Sequence, residues 1–162
     1  VVFRAEVDAV PAGAEEEEVE HDEGVVLAVG KAVLVDGDGS ALRPFLGAGD
    51  FAPGNWGNAT VDLLQPPDYT VEKVAYSAFY QTRLEYVLKA LGIDTLIVGG
   101  IVTNGGVATT VRDAHMRNYR TILLSDGCGA FKPEVHEATL IALDSVTQIE
   151  SCESVLALPG LA

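Results

Sequence analysis

Thr95-Leu-Ile-Val-Gly-Gly100, followed directly by Ile101-Val-Thr-Asn-Gly-Gly-Val-Ala-Thr-Thr110, decides the fold of this chain of 162 residues. The first stretch is apolar without alternation, the pattern of a central parallel strand covered on both faces. Within a few residues the spacing becomes helical, with Val107, Thr110, Val111 and Ala114 on one face of a predicted helix over residues 106–117. In open α/β sheets, ligands bind where a strand hands over to a helix in this way. Asn104 is placed to cap the new helix. The amides of Gly105 and Gly106 would then be donors at its positive end, suited to an oxygen that gains negative charge. The same glycines serve equally well in a tight βα turn that needs their backbone freedom.

Outward from this corner the alternation continues. Residues 70–74 predict a strand. Residues 82–91 predict a helix, with Leu84, Val87, Leu88 and Leu91 on one face and Gly92 at its end. Residues 120–125 predict a strand, 133–144 a helix with Pro133 in its first turn, 147–152 a last strand and 153–158 a short helix. Strands alternating with helices mean βαβ units, a parallel sheet and helices on both faces. The first half is less regular. Residues 1–7 suit a strand and 25–35 one or two more, whereas the Gly-, Pro- and Asp-rich stretch 36–57 reads as loop. Long loops in compact domains commonly line a site. There is no internal repeat, and a single domain is expected over residues 1–162.

The formal net charge is −14, but seven acids fall in the run Glu15 to Glu23, and the rest of the chain carries only −7. No basic stripe offsets this acidity, which argues against nucleic acid or an anionic membrane as partner. No apolar stretch reaches the roughly 20 residues that span a bilayer, and no signal-peptide pattern opens the chain. The two cysteines, Cys128 and Cys152, make neither a disulfide framework nor a metal cluster, which fits a reducing cytoplasm. The chain opens on Val-Val-Phe-Arg without Met, and the expectation is that the natural protein starts earlier.

Few side chains carry chemistry. Lys73 lies near the end of the predicted strand 70–74, so it is either a functional amine in the crevice beside residues 101–106 or an ordinary surface lysine. Cys128 follows a strand and is the one thiol near the presumed active edge; a half-buried structural cysteine is the alternative. His21, His115 and His136 share no metal-ligand spacing, and no zinc pattern occurs. Gly99-Gly100 is not a dinucleotide fingerprint, and no cofactor is expected.

Four segments together resemble the isochorismatase-like hydrolases, a superfamily that includes cysteine amidohydrolases. They are Lys73-Val-Ala-Tyr-Ser-Ala-Phe79, Leu91-Gly-Ile-Asp-Thr-Leu-Ile-Val-Gly-Gly-Ile-Val-Thr-Asn104, Thr110-Val-Arg-Asp-Ala114 and Asp126-Gly-Cys-Gly-Ala-Phe131. The resemblance covers about residues 56–158. It implies a three-layer αβα fold around a central mostly parallel sheet, and assembly as dimers or larger homo-oligomers. Amidohydrolases of this kind use a Cys, a Lys and an Asp. The family's lysine falls on Lys73, a non-proline cis peptide would join Ile101 to Val102, and the oxyanion amides would be those of Val102 and Gly106. The nucleophile position itself falls on Gly106. The family's Asp ends a first strand that this chain is expected to lack, and Asp8 is not its match.

Without a thiolate there is no thioester intermediate and no covalent route to amide hydrolysis. Isochorismatases proper manage without the Cys, hydrolysing a vinyl ether by acid chemistry in which the Asp supplies the proton. Nicotinamidase-type metal-binding histidines have no counterpart. The resulting expectation is a Cys-less hydrolase of a small molecule, with vinyl-ether or C–N bond hydrolysis and an unassigned substrate. Lys73 would be catalytic, Val102, Asn104 and Gly106 would bind substrate, and Trp56, Tyr76 and Phe79 would form the pocket wall. The alternative is an inactive family member that binds a small molecule or acts as a structural subunit.

Overall fold

The computed structural model describes residues 2–5, 24–30, 69–73 and 75–158. Six strands form one sheet in the order β3-β1-β2-β4-β5-β6. They are β1 (Val2–Ala5), β2 (Gly24–Gly30), β3 (Tyr69–Thr70), β4 (Ile93–Ile101), β5 (Arg120–Gly129) and β6 (Gln148–Glu150). β2, β4, β5 and β6 run parallel, while β1 is antiparallel to both β2 and β3. Two antiparallel pairings in succession make β3 parallel to β2, so the chain leaves β3 toward the same edge at which β4 ends.

Alternation along β4 and β5 separates two layers of core. Leu96, Val98 and Leu123 face α1 (Leu84–Ala90), α2 (Ala108–His115) and α3 (Pro133–Leu143), packing with Leu84, Leu88, Val111 and Leu143. Ile97, Ile122 and Leu124 point the other way and meet Val155 of α4 (Cys152–Leu156). Period-two alternation in strands and the 84/88 spacing in α1 produce this division. Residues 95–99 are thus buried on both faces, and the fold is the expected α/β arrangement around a mostly parallel sheet.

Two of the boundaries that differ from the sequence expectation bear on the site. The predicted strand 70–74 pairs only at Tyr69–Thr70, and residues 71–73 leave the sheet. β5 continues four residues past Ser125, because after an irregularity its end rejoins β4, with Gly100 opposite Cys128 and Ile101 opposite Gly129. Missing side chains permit this closure. A Cβ on Gly99 would lie 3.0 Å from the Gly127 carbonyl oxygen, and one on Gly127 would lie 2.7 Å from Leu124 Cβ. Trp56, His21, the acidic run 15–23 and the stretch 36–57 lie outside the described residues.

Candidate active site at the carboxyl end of the central strand

The corner after β4 is built from backbone first. The Ile101–Val102 peptide is cis. A π-helical turn, Thr103–Val107, then leads into α2. Val102 is extended at the turn's start, and its carbonyl accepts from the Gly105 amide at 3.0 Å and the Val107 amide at 3.4 Å. This corrects the capping role given to Asn104. Val102 holds the N-cap position with no side-chain bond, and Asn104 lies two residues later, exposed inside the turn. The α-helix itself starts at Ala108, later than the expected residue 106, because the π-helical turn from Thr103 to Val107 takes up the two glycines.

Lys73 meets this corner. It is only 3% exposed, and its Nζ donates to the carbonyls of Ala75 at 2.9 Å and Tyr76 at 3.1 Å. A Cβ built on Gly106 would sit 3.3 Å from that Nζ and 3.4 Å from the Tyr76 oxygen. The ammonium therefore faces the place where a side chain at 106 would begin. Burying a cation is costly unless hydrogen bonds hold it, and the two carbonyls orient the amine toward the corner.

The segment after Lys73 is tied to the same turn. Thr110 Oγ1 donates to the Gly106 carbonyl at 2.7 Å and accepts from the Ala78 amide at 3.0 Å. Ser77 donates to Asp113 on α2 and accepts from the Phe79 amide. Tyr76 is partly exposed at the rim, with its ring edge 3.9 Å from a Cβ placed on Gly105. Phe79, by contrast, lies in the core. Its ring packs against Tyr119 at 5.8 Å between centroids, with the Arg117 guanidinium over it at 4.8 Å. Lys73, Val102, Gly106 and Tyr76 thus come together, whereas Phe79 is directed into packing.

Sequence reasoning missed three residues here. Thr110 stands four residues after Gly106, the spacing at which a helical hydroxyl reaches back to a carbonyl, so that contact was readable. Thr103 and His136 were not. Thr103 Oγ1 lies 2.8 Å from His136 Nδ1 across 33 residues of sequence, and nothing local announces it. His115 is exposed in the last turn of α2. Cys128 is half-buried, and burial pushes its thiol up to about 11. Among the described residues no three His, Cys, Asp or Glu side chains gather as metal ligands.

The isochorismatase domain family matches residues 20–153, most of the chain and all of the corner just described. This chain belongs to the isochorismatase family. An uncharacterized isochorismatase family protein of Bacillus subtilis is 39% identical over 99 residues, covering 60% of this chain and 52% of the relative. The ureidoacrylate amidohydrolase of Methylobacterium radiotolerans is 38% identical over 118 residues, covering 68% of this chain and 46% of the relative. Among solved structures, an isochorismatase-like hydrolase from Alkaliphilus metalliredigens superimposes with a TM-score of 0.69 at 31% identity, covering 77% of this chain and 68% of that one. The chain spans about half the length of the two curated relatives. Among its described residues, this member of the isochorismatase family has no helix long and apolar enough to cross a membrane.

Proposed function

We propose that this isochorismatase-family protein hydrolyses a small molecule without a cysteine nucleophile. The observation that supports the reading best is the 3.3 Å approach of the buried Lys73 Nζ to the position of an absent side chain at Gly106. In this reading Lys73 is the catalytic side chain. Its ammonium, with the amides of Val102 and Gly106, holds a substrate oxygen as that oxygen gains charge. Tyr76 forms part of the rim, and Asn104 meets substrate from the exposed side of the turn.

With no thiol at residue 106, water attacks the substrate directly and no acyl-enzyme forms. For a vinyl ether, a proton adds to the terminal alkene carbon and water adds to the resulting oxocarbenium carbon. The hemiketal, after losing a proton, collapses to a carbonyl compound and an alcohol. For a C–N bond, water adds to the carbonyl and the amine leaves with a proton. Acid chemistry also needs a proton donor, and Lys73 is not assigned that role. A homo-oligomer in a reducing cytoplasm goes with this reading, in keeping with the free thiols of Cys128 and Cys152.

The test is to offer the full-length natural protein a vinyl ether, simple amides, a ureide and esters, with the Lys73→Ala variant alongside. Turnover of at least one compound by the natural protein, lost in the variant, is the expected result. A second reading, an inactive member that only binds a small molecule, draws on Gly106 itself. Equal ligand affinity in both proteins, with turnover in neither, would favour it and sink the first.

A further inference from the structure

The corner that carries Val102 and Gly106 is held from two sides. On the Lys73 side, the Thr110 hydroxyl bridges the Gly106 carbonyl and the Ala78 amide. On the other side stands α3, whose first turn presents His136 to Thr103. Thr103 directly follows the cis peptide and is completely buried, and its hydroxyl lies 2.8 Å from His136 Nδ1. The backbone that carries the ring is fixed by the first turn of α3, where the His136 amide donates to the Lys132 carbonyl at 3.2 Å. If the neutral ring carries its proton on Nε2, the Thr103 hydroxyl donates to Nδ1; in the other tautomer it accepts. Either tautomer preserves the bond.

Among the described residues, the other hydrogen bonds at Val102 and Gly106 come from the turn and from α2, not from α3. The Val102 carbonyl is already taken by the Gly105 and Val107 amides, bonds internal to the turn itself. Ile101, just before, is a largely exposed side chain. Among the described residues, the Thr103 hydroxyl is the side-chain hydrogen bond that ties the turn to α3, whereas Thr109 and Thr110 tie it to α2.

We infer that His136 is a positioning residue. Through Thr103 it sets the orientation of the Val102 and Gly106 amides, and it does not itself touch substrate. The inference rests on the proposed hydrolase reading for its kinetic consequence but not for its structural one, so the two can be tested apart. Asparagine can place an oxygen or nitrogen near the position of His Nδ1, glutamine puts its amide one carbon further out, and leucine offers no partner.

The experiment compares the natural protein with His136→Asn, His136→Gln and His136→Leu by amide ¹H–¹⁵N spectra and, where a substrate is turned over, by steady-state kinetics. In His136→Leu and His136→Gln the Val102 and Gly106 resonances should move while that of Leu143, at the far end of α3, stays. In His136→Asn all three should keep their natural positions. On any substrate, kcat should fall by about tenfold or more in His136→Leu with KM within about twofold, as expected when a reacting geometry is displaced but the ground-state contacts remain. Should His136→Leu fail to fold, the Asn and Gln pair decides alone. Unmoved Val102 and Gly106 resonances in the Leu or Gln variant, or an Asn variant that behaves like them, overturn the inference. A natural protein that hydrolyses nothing removes the hydrolase reading and leaves the spectra to judge His136.

Discussion

The carboxyl ends of β4 and β5 lie side by side, with Gly100 opposite Cys128 and Ile101 opposite Gly129, yet they carry opposite equipment. β4 ends in a turn with no side chain at residue 106 and a buried ammonium beside the gap. β5 ends with a thiol, but one that burial pushes up to about 11, so it remains protonated near neutrality. A thiol is a nucleophile only as thiolate and only where a substrate can reach it. Nearness to the corner at residue 106 therefore does not make Cys128 a reactive thiol. Lys73, Thr103 and Thr110 all place hydrogen bonds at or beside the β4 corner, and that is where the proposed chemistry lies.

The largest expected effect comes from removing the cation. Lys73→Met should lower kcat at least about 100-fold on any substrate the natural protein turns over, the scale of losing a principal oxyanion partner. Circular dichroism should remain that of a folded protein. Activity within a few-fold of natural would move the chemistry away from this corner.

Moving a thiol from one strand end to the other sharpens the contrast next. Gly106→Cys brings its Cβ to 3.3 Å from Lys73 Nζ, a fit that asks the neighbours to give by a few tenths of an ångström at most. The ammonium there favours thiolate, so this cysteine should react with iodoacetamide near neutral pH at least about ten times faster than Cys128. Equal rates, read by mass spectrometry of the labelled peptides, would mean that the ammonium does not face that position.

The smallest effect concerns the backbone closure that brings the two strand ends together. A methyl on Gly127 would lie 2.7 Å from Leu124 Cβ and 3.0 Å from its Cδ1, inside the second core layer. Gly127→Ala should cost about 1–3 kcal/mol in chemical denaturation, the usual range for overpacking. A variant as stable as the natural protein would show that β5 can bend away without loss.

Sequence made this fold legible wherever the signal was local. The unbroken apolar run around Thr95–Gly99 has both faces buried, the 84/88 pair of α1 lies in the core, and Pro133 opens α3. The site was half legible. The resemblance put Lys73, the cis peptide and Gly106 in one place, and the structure brings these residues together. Asn104 misled because Asn is a good cap by type, whereas a π-helical turn starting at Thr103 puts it past the capping position. Phe79 misled because an aromatic near a site reads as pocket wall until its partner is known, and that partner is Tyr119, 40 residues on. The Thr103–His136 bond was beyond reading, since it depends on how α3 lies against the turn.

Hydrolysis at this corner without a covalent enzyme intermediate can be checked by intact-mass analysis of the natural protein acid-quenched during turnover. The expected result is an unmodified protein mass at every time point and product release without a burst. A substrate-derived mass increment on the enzyme, at Cys128 or at any other residue, would contradict it.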